Sequence, residues 1–350
     1  MSVRIFKPDI AVVTVIGRDH YSAFKSMEAI DAEKEKVVLA LSPQGIAVMN
    51  IDDPLVRLMG ERCNRQVIWF GKEAGATLRL REARSRWPDP LVVVFDYQDK
   101  TYEVRMQLHG THMAIPVLAS LGIALAANLP LEQAISAIQQ VQPIEGRMQV
   151  VTGKDGVVFI RDDWKAPQWS LHAPLEFLKE AKASRKVVVL GTVSDASGDA
   201  TRRYKKYSRH AREVADIVVF VGPHAHRAIR ARQNETDTAI QGFSSIRDAS
   251  KYLQNELRKG DLVLLKGSHR ADHLVRLVIN RDRSIQCWKE KCAVETFCEK
   301  CPKLFRLYPD IPFISKMDPH AGKTVPMFVW LRNCAARFLR SLKSLLRKLV

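Results

Sequence analysis

Short runs of consecutive apolar residues, separated by segments of helical periodicity, constrain the fold of this chain more than any other feature. The run DIAVVTVI (9–16) is almost entirely apolar, and KVVVLG (186–191), DIVVFVG (216–222) and DLVLLKGS (261–268) repeat the pattern. Such runs are typical of strands that are buried on both faces of a parallel sheet. Because helical segments such as 26–41 separate them, the sequence predicts an α/β fold with a mostly parallel sheet.

The strands and helices fall into two groups, and 350 residues can bury two ordinary cores. The hydrophobic content of 46% and the charged content of 27% are those of a globular protein. The predicted order is an α/β unit over 1–147, a second one over 148–284, a cysteine-rich segment over 285–305 and a basic tail over 306–350.

The net charge of +17 favours an anionic partner such as a nucleotide, a nucleic acid or a membrane surface. Two basic runs, RLREARSR (79–86) and TRRYKKYSRHAR (201–212), invite a nucleic-acid interpretation, and the second also carries tyrosines. We interpret both as solvated helix faces, because neither resembles a known nucleic-acid module. The start, MSVRIFKPDI, has no apolar signal region, so the predicted location is cytoplasmic.

Polar side chains follow several predicted strands, where ligands bind in α/β sheets. They are Asp19-His20, Arg147, Asp162-Asp163 with Lys165, and Lys266-Gly267-Ser268. Taken singly, each of these features is equally typical of a loop residue or a helix cap.

The order of these motifs resembles the Mur ligase family, whose members use ATP to join an amino acid or peptide to a carboxylate through an acyl phosphate. KPDIAVVTVIGRDH resembles the strand that ends at Asp-His in this family. EGRM (145–148) resembles its Gly-Arg turn, and IRDDWKAP (160–167) resembles its Asp-x-Lys-Ala strand end. VVVLGTVSDASGD (187–199) and VLLKGS (263–268) resemble strands of its Rossmann-like C-terminal domain. The resemblance covers about residues 7–280.

The resemblance implies a role for each matched residue. His20 would bind Mg²⁺, and Lys34, fourteen residues later, would bind it after carbamylation. Arg147 would hold the phosphates of ATP, Asp163 would bind the ribose hydroxyls, and Lys165 would approach the transferring phosphoryl group or acyl phosphate. Mg²⁺ and cationic side chains suit this chemistry because they neutralise charge on the phosphoryl group.

The chain also departs from the family pattern. LHGTHMAIPVLASLGIAL (108–125) resembles a Gly-x-His-Asn-x-x-Asn helix that contacts the nucleotide, so His112 is a candidate, but Met113 and Pro116 replace both asparagines. No G-x-x-x-x-G-K-[ST] occurs, and the resemblance begins in the middle of the family's central domain, beyond its UDP-sugar-binding domain. A sheet that starts there is expected to have an unpaired edge.

Two functional hypotheses follow. In the first, the chain is one component of an ATP-dependent carboxylate–amine ligase, and a separate chain supplies the phosphate-binding loop; the chain alone would then not hydrolyse ATP. In the second, the chain is a degenerate, non-catalytic binding or scaffold protein, associated with a membrane or not.

Four cysteines cluster in CWKEKCAVETFCEKC, which has the spacing C-x4-C-x5-C-x2-C. They are Cys287, Cys292, Cys298 and Cys301. Four thiolates in so short a segment could hold Zn²⁺ or an iron–sulfur cluster, and we favour zinc because no ferredoxin-like spacing occurs. The alternative is that they are reduced thiols or two unrelated pairs.

The end of the chain, MFVWLRNCAARFLRSLKSLLRKLV (327–350), has the pattern of a basic amphipathic helix. Such a helix suits an anionic membrane surface, here the inner face, or the groove of a partner protein. The alternative is that it packs on its own protein with a solvated basic face.

Overall fold

The computed structural model describes residues 7–18, 24–195, 198–290, 292, 294 and 296–306, and these form two six-stranded sheets. The strands of the first sheet are β1 (Ile10–Val13), β2 (Ile46–Asn50), β3 (Gln66–Gly71), β4 (Leu78–Arg84), β5 (Val92–Tyr97) and β6 (Lys100–Arg105). Those of the second are β7 (Gln149–Thr152), β8 (Val158–Asp162), β9 (Arg185–Leu190), β10 (Ile217–Val221), β11 (Ile240–Phe243) and β12 (Asp261–Lys266). The described helices are Met27–Leu39, Pro54–Glu61, Ala114–Ala126, Leu131–Ile138, His172–Glu180, Ala200–Val214, Ala225–Ala228, Ile246–Glu256 and Val275–Asp282. The predicted α/β fold class is confirmed.

The first sheet follows chain order, β1-β2-β3-β4-β5-β6. Strands β1 to β4 are parallel neighbours, whereas β5 is antiparallel to both β4 and β6. Among the described strands β1 pairs with β2 alone, so β1 forms an edge of the sheet in this part of the chain. An edge of this kind presents unpaired backbone groups.

Side-chain caps determine where the first helices begin. Ser26 Oγ accepts a hydrogen bond from the backbone three residues later, and Asp53 Oδ1 caps the helix that begins at Pro54. The other oxygen of Asp53 accepts from Ile16 N at 3.1 Å, which ties the segment after β1 to this helix. The helix Pro54–Glu61 was not predicted from the sequence, although Asp53 and Pro54 form a favourable helix start.

The core of the first half lies between its sheet and the helix Ala114–Ala126, which is buried along most of its length. Gly122 lets this helix approach the sheet, since a Cβ atom there would lie 2.6 Å from Val48 Cγ1. The apolar run that contains this helix is therefore explained by packing inside the protein. Within the described residues, no helix is long and apolar enough to cross a membrane.

The second sheet has the order β11-β10-β9-β12-β8-β7 and is parallel except for the pair β7–β8. From β9 the chain runs outward to β10 and β11, then returns to place β12 on the other side of β9. The connection from β11 back to β12 therefore runs opposite to those from β9 to β10 and from β10 to β11, so the strand order reverses where β12 lies beside β9. In open α/β sheets the carboxyl ends of strands at such a switch point are the usual place for a ligand.

The two basic runs differ from each other in structure. The run at 79–86 was expected to be a helix, but most of it forms β4, and Arg84 reaches Glu103 on β6 at 2.9 Å. The prediction was wrong because pairing with β5 outweighs the local pattern. The second run forms the helix Ala200–Val214 as predicted, with Tyr204 and Tyr207 buried in the core. These tyrosines are therefore not available to stack on bases.

The two sheet-bearing halves meet through aromatic side chains. His109 lies between Trp87 of the first half and Phe177 of the second, with ring centroids 5.4 and 6.0 Å away. Backbone contacts reinforce this interface, since Arg86 Nε donates to Glu180 O at 2.7 Å and Lys182 N donates to Trp87 O at 3.0 Å.

Candidate active site

The switch point of the second sheet is built around a buried carboxylate. Asp272 accepts hydrogen bonds from Thr192 N at 2.9 Å, Thr192 Oγ1 at 2.7 Å and Ser268 N at 2.7 Å. It thereby joins the carboxyl ends of β9 and β12. Gly191 is required here, because a Cβ atom would lie 2.2 Å from Asp272 Oδ2. Burial raises the pKa of Asp272, while the hydrogen bonds from Ser268 and Thr192 oppose that rise.

Beside this carboxylate, a buried ion pair joins the ends of β8 and β12. Lys266 Nζ donates to Asp162 Oδ2 at 2.7 Å and to the carbonyl oxygen of Lys165 at 3.0 Å. Lys266 is 2% exposed, and burial lowers the pKa of its ammonium group despite the neighbouring carboxylate. The pair holds the backbone at Lys165, whose own side chain is half-buried.

Asp163 lies on the other side of β8 from this pair and is fully buried. Its Oδ1 accepts from Arg161 Nε at 3.2 Å, while Arg161 Nη1 donates to Glu299 Oε1 at 2.7 Å. Asp163 Oδ2, Arg161 Nη2 and Glu299 Oε2 are buried without a hydrogen-bond partner among the described residues. Burial also raises the pKa of Asp163. Each of these three atoms could therefore form a further hydrogen bond, for example with a bound ligand.

Arg147 stands at the rim of the same region and is exposed. The tight turn before it depends on Gly146, which has a φ of +68°, a conformation that glycine adopts most easily. Trp164 N donates to Gly146 O at 3.1 Å, and the Arg147 guanidinium lies 5.6 Å from the centre of the Trp164 ring. The turn therefore presents a cation next to the ends of β8 and β12.

His112 approaches from the first half of the chain, in a short 3-10 turn over Thr111–Met113. Burial lowers its pKa, and the charges of Asp162 and Lys266 act on it in opposite directions. Its ring packs on Gly110, where a Cβ atom would lie 2.6 Å from His112 Cε1. The site thus receives groups from both halves of the chain.

Two sequence families match the chain. The Mur ligase middle domain matches residues 2–124, and the family described as Mur ligase, glutamate ligase domain, matches residues 146–269. The chain belongs to the Mur ligase family. The resemblance stated from the motifs is thereby confirmed.

Among curated relatives, the UDP-N-acetylmuramoyl-tripeptide–D-alanyl-D-alanine ligase of Mycobacterium tuberculosis is 28% identical over 295 residues, which cover 76% of this chain and 57% of the relative. The UDP-N-acetylmuramoylalanine–D-glutamate ligase of Chromobacterium violaceum is 28% identical over 262 residues, which cover 73% and 52%. The chain therefore spans little more than half the length of these relatives.

Solved Mur ligases have the same fold. A crystal structure of MurF from Acinetobacter baumannii matches with a TM-score of 0.71 at 23% identity, covering 80% of this chain and 61% of that one. MurF from Thermotoga maritima, solved in complex with ADP, matches with a TM-score of 0.68 at 22% identity, covering 80% and 63%.

The structure brings together some of the residues that the Mur ligase resemblance selected. Arg147, Lys165 and His112 lie around the Asp162–Lys266 pair, as described above. Asp163 is adjacent in sequence but has no exposed surface. Lys34 is exposed on the helix Met27–Leu39, and His20 lies outside the described residues, so their predicted shared Mg²⁺ site stays a prediction.

The four cysteines do not converge on one point. Among the described residues, one group of three or more His, Cys, Asp or Glu donors lies close enough to hold an ion, and it contains no cysteine. Cys298 is buried, 3.2 Å from Arg276 Nε and 3.5 Å from His273 Nδ1, and burial raises the pKa of its thiol. The arrangement therefore does not support the predicted zinc or iron–sulfur site.

Sequence reasoning missed three contributors to the site: Asp272, Arg161 and Glu299. Asp272 follows β12 by six residues in a polar loop, and its sequence context is that of an ordinary turn residue. Glu299 lies 138 residues from Arg161, so no local pattern could associate the two.

Proposed function

We propose that the chain is one component of an ATP-dependent ligase that joins a carboxylate to the amine of an amino acid or peptide. The observation that carries the proposal is the set of cationic and titratable groups around the buried Asp162–Lys266 pair, at the switch point of the second sheet. The family membership and the ADP complex of the Thermotoga maritima relative support ATP as the nucleotide.

In this proposal Arg147 binds the phosphates of the nucleotide, because an exposed guanidinium offers several donors in a fixed geometry. Lys165 stabilises the transferring phosphoryl group or the acyl phosphate, and Lys266 keeps the backbone of Lys165 in position through its bond to the carbonyl oxygen. His112, whose pKa is lowered by burial, is a neutral hydrogen-bonding group near the nucleotide at neutral pH.

Lys34 could bind Mg²⁺ only after its amine has been carbamylated. Mg²⁺ prefers oxygen ligands, and an ammonium group repels it, whereas a carbamylated lysine ends in a carboxylate. The exposure of Lys34 leaves its amine open to carbon dioxide. A bound Mg²⁺ would neutralise negative charge on the phosphates of ATP.

The phosphate-binding loop belongs, in this proposal, to a separate chain. No G-x-x-x-x-G-K-[ST] occurs within these 350 residues. Strand β1 is the natural place for such a chain to join, because it pairs on one side only among the described strands and a further strand could extend the sheet there.

A second candidate function is non-catalytic binding or scaffolding. The observation that favours it is the burial of Asp163, the proposed ribose ligand, beneath Phe297 and Glu299. A ribose can reach this carboxylate only if the covering residues move.

The test combines this chain with the chain that supplies the phosphate-binding loop and measures phosphate release from ATP in the presence of candidate acceptors. Release is expected from the pair and not from either chain alone. Lys34→Ala should abolish it, and short carboxylates such as acetate or formate should restore part of it, because they replace the carbamate.

Lys36→Ala is the matched control, since Lys36 lies on the same helix in an exposed pair with Glu33 at 2.5 Å. It should leave phosphate release unchanged. If the intact pair binds ATP but releases no phosphate with any acceptor, the ligase proposal is wrong and the binding function is favoured.

A further inference from the structure

A cluster of three side chains of the types that bind metals lies on the second half of the chain and shares no residue with the site described above. His172 is the first residue of the helix His172–Glu180, and Glu176 follows one turn later on the same face. His210 faces them from the neighbouring helix Ala200–Val214. One donor atom from each residue lies within 4.8 Å of the other two.

The distances place one carboxylate oxygen between two imidazoles. Glu176 Oε1 is 3.9 Å from His172 Nδ1 and 3.7 Å from His210 Nε2. Both separations are too long for hydrogen bonds. They are close to the spacing of about 3.3 Å between ligand atoms on one tetrahedral Zn²⁺, which follows from metal–ligand bonds of about 2.0–2.1 Å. Small side-chain rotations would close the difference.

The backbone beneath these side chains is held in place by packing. Leu175 and Leu178 anchor the first helix in the core, and Tyr207 and Ala211 anchor the second. The two imidazole rings stack with centroids 5.7 Å apart and planes 29° from parallel. The scaffold is therefore rigid, while the side chains, exposed by 74% for His172, 37% for Glu176 and 30% for His210, can adjust around an ion.

The site also has a cationic neighbour, Lys179, whose charge partly offsets the attraction of Glu176 for a metal ion. Lys179 Nζ lies 3.8 Å from the other oxygen of Glu176, which orients the carboxylate so that Oε1 faces the imidazoles. An exposed His–Glu ion pair would contribute at most about 1 kcal/mol to the stability of the fold. Ion pairing alone therefore explains poorly why these three side chains lie together. Two nitrogens and one oxygen are the donor set of many open Zn²⁺ sites.

We propose that His172, Glu176 and His210 form a binding site for a divalent transition metal of the Zn²⁺ class, with at least one coordination position open to solvent. His210 also lines a groove of about 820 Å³ whose walls carry Arg202, Lys205 and Lys206. The open position therefore adjoins a cationic surface that suits an anionic fourth ligand.

The experiment titrates the full chain with Co²⁺, which replaces Zn²⁺ and absorbs visible light when bound. One Co²⁺ per chain is expected, without the near-ultraviolet charge-transfer band that thiolate ligands produce. That band separates this site from any binding by the cysteines. Zn²⁺ should displace the bound Co²⁺.

His210→Ala and Glu176→Gln should each weaken Co²⁺ binding by at least about tenfold, since each removes one ligand. The matched control is His226→Ala, an exposed histidine elsewhere on the same half, which should bind as the unchanged chain does. Thermal unfolding curves establish that each variant is folded. Unchanged binding in His210→Ala, a spectrum with the thiolate band alone, or a Kd above about 1 mM would each overturn the proposal.

Discussion

Lys266 is buried with one carboxylate and one carbonyl oxygen as partners. This burial is unfavourable in free energy, because the ammonium group loses its hydration. Two charges in a protein interior lose their hydration, and their attraction offsets that loss only if the geometry is good. Here the pair also connects β8 to β12 and holds the backbone at Lys165. Its contribution is therefore to position the groups around it, and it makes the site sensitive to single substitutions.

At the scale of single residues, we predict that Lys266→Met lowers the free energy of unfolding by about 3–5 kcal/mol, because Asp162 would stay buried without its partner. Urea unfolding followed by circular dichroism measures the change. Asp162→Asn combined with Lys266→Met should recover part of the loss, since neither charge then remains. Lys36→Met, which removes an exposed pair, is the control and should cost at most about 1 kcal/mol. A loss equal to that of the control would contradict the prediction.

At the scale of elements, the short segment 296–301 covers the end of β8. Phe297 packs edge-on against Trp164 with ring centroids 5.2 Å apart, and Glu299 pairs with Arg161. A further ion pair, between Lys300 and Glu145 at 2.5 Å, links the segment to the turn before Arg147. Part of the cysteine-rich segment therefore lies beside Arg161 and the proposed ribose ligand Asp163.

We predict that Phe297→Ala loosens this cover and exposes Cys298, because the aromatic ring accounts for much of the apolar packing there. Alkylation of Cys298, followed by peptide mass spectrometry, should become faster by roughly tenfold or more as the segment opens more often. Trp169→Ala is the control, since Trp169 is a half-exposed aromatic residue outside the segment and outside the cluster that contains Cys298. Equal alkylation rates in the two variants would show that Phe297 does not hold the cover in place.

At the scale of the whole molecule, His109 lies in the aromatic contact between the two sheet-bearing halves. Burial lowers its pKa below the ordinary value of 6.5, and its Nδ1 is buried without a hydrogen-bond partner among the described residues. The folded protein therefore keeps this imidazole neutral at a pH at which the unfolded chain binds a proton. Protonation opposes the contact between the two halves.

The resulting pH dependence has a definite sign. As the pH falls below 6.5, the unfolded state takes up a proton that the folded state does not, so stability decreases until the lowered folded pKa is reached. We predict that His109→Phe, which keeps the ring, loses less stability between pH 7 and pH 5 than the unchanged chain does. Urea unfolding at the two pH values measures this difference. His226→Phe, at an exposed position, should keep the original pH dependence, and the same dependence in His109→Phe would refute the assignment.

The site was partly predictable from sequence, because strand ends are visible as the points where apolar runs stop. Lys165 was found in this way, whereas Arg147 lies in the turn before β7 and was selected through the family resemblance, which supplied the predicted roles of both. Asp272 could not be found, since its function depends on Gly191 and Thr192, which approach it only after β9 and β12 pair. Asp163 does follow the end of β8, as the sequence predicted, and its role as a ribose ligand stays a prediction; its partner Glu299 comes from a segment more than a hundred residues away.

By itself the sequence determined the alternation of strands and helices, the α/β class and the family, because apolar periodicity and short motifs are local properties of the chain. Only the tertiary structure decided which strands are neighbours, that β1 forms an edge, and that residues 79–84 pair in a sheet. It also decided that donor atoms of His172, Glu176 and His210 meet within 4.8 Å of one another, which no three of the described cysteines do. The physical reason is that burial and pairing depend on groups distant along the chain, which no local pattern encodes.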